Sequence, residues 1–311
     1  MNKLFLPILF ALVLFTDPSF SQQRAIEISR TSDKDGGITF YATRNTDYPI
    51  TLLIDFTFLQ NLQTSTRLPN ATVLNRGRTR LLKLSRQGIV TSGVNYRYNT
   101  RTFTGCINTK PSEIEYLLPF ADGTTARVRG LYNISEDFGQ EGPEDYYAIS
   151  FIVDKDNVIY NSRRGIVVSV SDPGNPEAEN ITFASTVNQV VLVHDDCTFI
   201  RYSTFKDGEI FVKPGDVVNA GQPLGIVAGD EFALGNQIRM MIYYLNNDVV
   251  VMDDQDRRGI HYWRYHKPLF RTSAAEFREV VRGDLVRSVH PEDIITQEMS
   301  RRERRQWERN Q

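Results

Sequence analysis

Hydrophobic and polar positions alternate along residues 22–108 in a way that is typical of β-strands. The stretches "GGITFYATRN", "YPITLLIDFTFLQNL", "NRGRTRLLKLSR" and "VNYRYNTRTFTG" are rich in Ile, Thr, Phe and Tyr, and turn residues separate them. This spacing of short strands predicts a small antiparallel β-sandwich over residues 22–108.

Strand patterns continue through residues 109–247. They include "YYAISFIV", "RRGIVVSVS", "NQVVLVHD", "CTFIRYSTF", "GQPLGIVAGD" and "QIRMMIYYL". Turn signals such as Asp122-Gly123 and Pro214-Gly215 lie between them, and no helical periodicity is found from residue 113 to residue 247. The sequence therefore predicts an all-β chain with a second antiparallel β domain at 109–247.

The pattern changes again after residue 247, where we expect a short α/β extension over 248–311. "IHYWRYHKPLFRT" is a strand candidate, and "SAAEFREVVRGD" is an amphipathic helix candidate with Ser273 as its cap. The last segment, "MSRRERRQWERNQ", contains five arginines and two glutamates. We expect it to be a solvated basic tail, with a frayed helix as the alternative.

The first 21 residues predict a secretory signal peptide. Lys3 precedes the apolar run 4–15, and Ser19 and Ser21 are small residues suited to a cut before Gln22. We expect export to the periplasm or cell surface, with no stable membrane span after cleavage. The net charge of −2 does not favour a nucleic-acid partner.

Two cysteines, Cys106 and Cys197, leave two interpretations open. In an exported chain they could form a disulfide that joins the two β domains, or they could remain two separate thiols. They are too few for a zinc site with four thiolates.

Several motifs between Tyr116 and Tyr244 resemble, in order, those of the LytM/lysostaphin-type zinc endopeptidases. The motifs are "YLLPF", "YAISFIVDKDNVIYNSRRGIVVSV", "NQVVLVHDDCTFIRYSTF" and "VKPGDVVNAGQPLGIVAGD". The resemblance implies an antiparallel β domain whose relatives cut the peptide cross-links of bacterial peptidoglycan. In that family one Zn²⁺ is held by a His, an Asp and the second His of a His-x-His pair.

At the positions that match those zinc ligands and catalytic histidines, this chain has other residues. They are Tyr146, Ser150, Thr204, Gln237 and Arg239. A serine hydroxyl is a poor zinc ligand beside a carboxylate, and Arg239 puts a permanent positive charge where a dication would bind. The resemblance therefore implies a groove lined by these five residues, with no catalytic residue, no metal and no cofactor.

The four histidines offer no replacement set. His194 ends an apolar strand, and we interpret it as a hydrogen-bonded structural residue. A relocated zinc site at His261 and His266 is an alternative, but a spacing of five does not place two ligands on one face of a strand. A Cys197 nucleophile activated by His194 is another alternative, although no orienting group can be named for it.

The function expected from the resemblance is that of an exported, inactive LytM-like protein. It would act as a scaffold or activator in cell-wall remodelling, with a cell-wall amidase or another envelope protein as its partner. Peptidoglycan peptides are a further possible ligand of the groove, and Arg239 would pair with their carboxylates. The alternative is an active zinc-dependent endopeptidase with relocated ligands; a carbohydrate-binding or purely structural role also stays open.

Overall fold

The chain was analysed as a computed structural model. It describes residues 25–88, 93–131, 142–174, 187–230, 232–233, 235–252, 260–273 and 276–310. The predicted signal peptide lies outside these residues. Strands dominate the described part and pair almost entirely antiparallel, so the predicted all-β class is confirmed. No helix in the described ranges has the length and hydropathy needed to cross a bilayer.

The first seven strands form two small sheets around a shared core. They are β1 (Ile26–Ser32), β2 (Ile38–Arg44), β3 (Ile50–Gln60), β4 (Leu62–Gln63), β5 (Asn70–Leu74), β6 (Gly77–Arg86) and β7 (Asn95–Thr104). The strand orders are β1-β2-β6-β4 and β5-β3-β7. Side chains of both sheets, among them Phe40, Leu52, Ile54 and Leu82, are buried together in one cluster, because alternate residues of each strand face inward.

The middle of the chain supplies eleven more strands. They are β8 (Glu115–Tyr116), β9 (Thr125–Gly130), β10 (Ile149–Ile152), β11 (Val158–Tyr160), β12 (Gly165–Ser171), β13 (Gln189–Val193), β14 (Phe199–Ser203), β15 (Phe205–Ile210), β16 (Val217–Val218), β17 (Pro223–Val227) and β18 (Gln237–Leu245).

The C-terminal part contributes seven short elements. They are α1 (Asn247–Val251), β19 (Trp263–His266), β20 (Leu269–Arg271), β21 (Phe277–Arg278), β22 (Leu285–Arg287), α2 (Glu292–Ile295) and α3 (Arg301–Arg309).

One large sheet organises most of these strands. Its order is β16-β12-β13-β14-β18-β10-β9-β22, and β19 also pairs with β18. One face of this sheet packs on the main hydrophobic core through residues such as Val128, Phe151, Tyr202, Ile238 and Met240. The opposite face, which does not pack on that core and is called the open face below, carries polar and aromatic residues such as Arg239 and Tyr243. Strands from the C-terminal segment (β19 and β22) extend the same sheet.

One prediction for the C-terminal segment is wrong. The described residues of "SAAEFREVVRGD" contain no helix; Phe277 and Arg278 form β21, which pairs with Arg271 and Phe270 of β20. Tertiary pairing to β20 overrides the helical spacing here. For the basic end the helix alternative is confirmed: Arg301–Arg309 form the helix α3, which has no buried side chain. Ser300 and Glu303 form a reciprocal capping box at its start, a signal that the sequence does contain.

A buried ion cluster holds this C-terminal segment against the large sheet. The Arg163 side chain is 1% exposed; it donates to both Glu298 oxygens at 2.9–3.1 Å, to Asp196 Oδ2 at 2.8 Å and to Tyr116 Oη at 2.9 Å. Burial opposes the charge of Arg163, but the Glu298 hydrogen bond and the neighbouring charges outweigh it and raise its pKa. Burial raises the pKa of Tyr116 to about 12.

The N-terminal sheets are joined to the large sheet by a disulfide and an apolar contact. Cys106 follows β7, Cys197 lies in the turn between β13 and β14, and the two are bonded with their Cα atoms 5.9 Å apart. Leu53 and Phe103 pack with Leu245 in a buried cluster nearby. The sequence left open a disulfide or two separate thiols, and the structure contains the disulfide.

Candidate functional site

The site is a row of polar residues that crosses the open face of the large sheet. Ser150 of β10 lies opposite Arg239 of β18, which in turn lies opposite Ser203 of β14. On the other side of Ser150 is Arg129 of β9. Residues directly opposite each other share one face of a sheet, so these four side chains share the face that points away from the main core.

Gln237 lies on the same face as Arg239, because it is two residues away on β18. Ser150 Oγ donates to Gln237 Oε1 at 2.8 Å, and both side chains are fully buried. Gln237 Nε2 is buried without a hydrogen-bond partner among the described residues. Three of the predicted groove residues, Ser150, Gln237 and Arg239, therefore share one face of two neighbouring strands.

Thr204 joins this group through its hydroxyl, which donates to the carbonyl oxygen of Gln237. Its backbone has φ 73°, a left-handed conformation that a β-branched residue rarely adopts. Hydrogen bonds from Thr204 N to Asn188 O at 3.0 Å and from Ala228 N to Thr204 O at 2.7 Å hold the backbone in place. Such a strained position is maintained by its surroundings and directs the side chain toward β18.

Arg239 is half-buried, and its guanidinium lies 4.3 Å from the centroid of the Phe232 ring. This cation–π contact fixes the orientation of a long side chain that would otherwise be mobile. The positive charge is therefore held against the Phe232 ring.

Tyr146 is the predicted residue that lies apart from the others. Its ring packs edge-on against Tyr265, with centroids 4.9 Å apart. Tyr265 pairs with Tyr243, which is four residues along β18 from Arg239. The distance along that strand is about 13 Å. The structure thus places Tyr146 in an aromatic group toward the other end of β18.

The residues of the row do not fit a zinc ion. Structural and catalytic zinc sites use imidazole, carboxylate or thiolate ligands. The four residues grouped around Gln237, by contrast, offer two hydroxyls (Ser150 and Thr204), one amide and the guanidinium of Arg239. Both hydroxyls donate to oxygens of Gln237, and Arg239 repels a dication. Within the described ranges, no three His, Cys, Asp or Glu side chains are grouped to hold a metal.

His194 is buried next to the Arg163 ion cluster rather than in the row. The Thr198 hydroxyl donates to Asp196 Oδ1 at 2.6 Å, so the 2.8 Å contact between His194 Nδ1 and Thr198 Oγ1 requires a proton on Nδ1. Nε2 is buried and has no partner in the described part of the chain. Burial, followed by the nearby Arg163 charge, lowers the pKa of His194 well below its ordinary value.

This neutral histidine predicts a loss of stability in acid. As the pH falls below about 6.5, the unfolded chain takes up a proton at His194 that the folded chain does not, so the free energy of unfolding falls by up to about 1.4 kcal/mol per pH unit. Burial also lowers the pKa values of His266 and His290, which adds to the same trend. Urea unfolding at about pH 7 and about pH 5 measures the slope of the free energy of unfolding against pH.

His194→Gln is expected to reduce that slope, since glutamine does not titrate. An equal slope in wild type and His194→Gln would contradict the assignment of a neutral buried imidazole.

The structure rules out a Cys197 nucleophile and shows where the two histidines of the alternative zinc site lie. Cys197 is bonded to Cys106 and is therefore not a thiol nucleophile for His194. His266 lies at the end of β19, opposite Ile242, whereas His261 is exposed before that strand.

Two arginines of the site were not predicted from the sequence. Arg129 lies two strands away from Arg239 in the same row, and Arg201 lies two residues before Ser203 on β14. The period-2 alternation shows that each arginine points away from the core, but only the pairing register brings them together.

No protein-family model matches the chain, and neither does any curated protein sequence. Solved structures do match. A chain in the structure of the SpoIIQ–SpoIIIAH pore-forming complex is 18% identical to this chain. The match covers 48% of this chain and 99% of that chain, with a TM-score of 0.31. The M23 metalloprotease pseudoalterin from the deep sea is 12% identical, with coverages of 58% and 100% and a TM-score of 0.33.

A putative M23 peptidase from Pseudomonas aeruginosa also matches. It is 13% identical, the match covers 61% of this chain and 87% of its own, and the TM-score is 0.27. The solved structures that the chain is similar to therefore include M23 peptidases.

Proposed function

We propose that this chain is an exported LytM-like envelope protein that binds a partner on the open face of its large sheet and does not hydrolyse peptides. The main support for the proposal is the set of side-chain groups that the row would offer to a metal ion. Ser150, Gln237 and Arg239 meet on β10 and β18 at the positions where the resemblance requires an Asp and two His. A site of this composition can form hydrogen bonds and ion pairs but cannot activate water through a metal.

The apolar core beneath the row supports a binding role. The core beneath the row consists of fully buried apolar residues such as Val128, Phe151 and Ile238. Burial of apolar surface stabilises this sheet with or without zinc ligands. On this proposal, replacement of the ligands removes catalysis and leaves the sheet folded, so that a partner can bind to it.

The proposed partner is a cell-wall amidase or another envelope protein, with peptidoglycan peptides as a possible additional ligand. The proposed location is the periplasm or the cell surface, following cleavage before Gln22. A mature protein that begins at Gln22 in mass spectrometry of the secreted material would support export; an intact N-terminus in the cytoplasmic fraction would contradict it.

The activity is tested with purified peptidoglycan, the full mature chain and a cell-wall amidase. We expect the protein alone to release no peptide fragments, with or without added Zn²⁺, and we expect it to increase the rate of release by the amidase. An unchanged amidase rate would remove the proposed scaffold role. Fragments released by the protein alone and lost on chelation would show the alternative, an active zinc endopeptidase.

A further inference from the structure

The large sheet ends at β22, which pairs with β9 on one side and with no strand of the described chain on the other. Val128 N donates to Asp284 O at 2.8 Å, and Ser288 N donates at 2.8 Å to the carbonyl oxygen of the residue before β9. Alternate residues of an antiparallel strand point their backbone groups to opposite sides. Leu285 and Arg287 therefore direct their N–H and C=O groups away from β9, to the outer side of the sheet.

The side chains at this end of the sheet are exposed on the open face. Leu285 lies opposite Arg127, and Arg287 lies opposite Thr125. All four are exposed, and Leu285, at 66%, is the most exposed large apolar side chain that the structure describes. Val286 between them turns to the core and is buried. We name Thr125, Arg127, Leu285 and Arg287 the open edge.

The open edge carries two positive charges without a counter-charge. Neither Arg127 nor Arg287 forms an ion pair with a carboxylate in the described ranges. The adjacent acid, Asp284, is already paired, because its carboxylate accepts hydrogen bonds from Arg278 Nη1 at 2.6 Å and from Val281 N at 3.1 Å. The edge therefore combines free backbone groups and an exposed leucine with positive charge that is available to a ligand.

We propose that an extended segment of a partner protein pairs with β22 and places an acidic side chain opposite Arg287 and an apolar side chain opposite Leu285. This inference goes beyond the proposed function, because it assigns a second surface at the edge of the sheet. A strand added to a sheet edge gains main-chain hydrogen bonds, and its alternate side chains give specificity. Neighbouring strands lie about 4.8 Å apart, so a carboxylate opposite Arg287 can accept from its guanidinium.

An acidic segment fits the open edge better than a second copy of this chain does. Antiparallel pairing of two β22 strands would put Arg127 and Arg287 of both copies on one face, and like charges on neighbouring strands are destabilising. An acidic segment neutralises the same arginines. A single-stranded nucleic acid is also disfavoured, because the open edge has no aromatic ring on which a base could stack.

The probe is a fluorescent peptide with the central sequence Glu-Thr-Val-Thr-Glu, which reads the same in both directions, titrated with the full mature chain. We expect binding that weakens about fivefold when both glutamates are replaced by glutamine, and by a similar factor in Arg287→Gln. Leu285→Pro should weaken it about tenfold or more, because proline removes an outward N–H that the fold does not use. Arg302→Gln, at an exposed arginine of α3, is the matched control and should not change the affinity.

Amide hydrogen exchange gives a second measurement that needs no variant to fold. In the wild-type chain, the outward amides of Leu285 and Arg287 should exchange at least about tenfold more slowly when the peptide is bound at saturation. The amide of Val286 already faces β9, so its exchange should change less.

Equal affinity for the glutamate and glutamine peptides would overturn this inference, and so would unchanged exchange at Leu285 and Arg287 under saturating peptide. Self-association of the wild-type chain that is lost in Leu285→Pro would show that a second copy occupies the edge, which would also overturn it. An oligonucleotide that binds with the same dependence on Arg287 would do the same. Zinc bound by the protein would instead refute the proposed function and leave peptide binding at the edge unchanged, so the two failures are distinguishable.

Discussion

Replacement of Arg163 by methionine is expected to lower the free energy of unfolding by about 3–5 kcal/mol. The guanidinium is almost completely buried and neutralises two carboxylates, Asp196 and Glu298. Methionine fills a similar volume but leaves both acids without their counter-charge, and uncompensated buried charges are costly. Urea unfolding of the variant at neutral pH measures the loss.

A second variant separates charge from packing in this cluster. Arg163→Met combined with Asp196→Asn and Glu298→Gln removes the uncompensated charges, so part of the lost stability should return. Arg164→Met is the matched control, because Arg164 pairs with Glu303, whose side chain is 44% exposed. Its cost should stay below about 1 kcal/mol. A loss of that small size in Arg163→Met would contradict the role of the cluster.

Reduction of the Cys106–Cys197 disulfide is expected to lower the free energy of unfolding by about 4 kcal/mol. The bond closes a loop across a sequence separation of 91, and loss of the bond increases the conformational entropy of the unfolded chain. It also frees the N-terminal sheets from the turn between β13 and β14. Urea unfolding with and without dithiothreitol measures the change.

The double variant Cys106→Ala, Cys197→Ser is the control for that measurement. It should unfold at the urea concentration found for the reduced wild type, and reductant should have no effect on it. Identical unfolding midpoints for oxidised and reduced wild type would show that the bond contributes nothing to stability.

The strands could be predicted from the sequence because their signals are local. Alternation in stretches such as "VNYRYNTRTFTG" and "NQVVLVHD" marks one buried face and one polar face, and turn residues mark the ends. The capping box at Ser300 and Glu303 is equally local and favours the helix alternative for the last segment.

The parts that could not be predicted depend on non-local pairing. The segment 273–284 has the spacing of a helix, but Phe277 and Arg278 within it form a strand that pairs with β20. Arg129 and Arg239 are 110 residues apart in the numbering of the chain and share a row only because β10 lies between their strands. Ser150, Thr204 and Gln237 were predicted as one groove from the resemblance, and the structure brings them together by hydrogen bonds; their role remains a proposal.

Equilibrium zinc binding to the mature, chelator-treated chain tests the central claim most directly. That claim is that Ser150 of β10, Gln237 and Arg239 of β18 and the adjacent Thr204 occupy the place of a zinc site. We expect no stoichiometric Zn²⁺ by elemental analysis after dialysis and the same result for Ser150→Ala. One tightly held Zn²⁺ per chain, lost in Ser150→Ala or Gln237→Ala, would contradict the account.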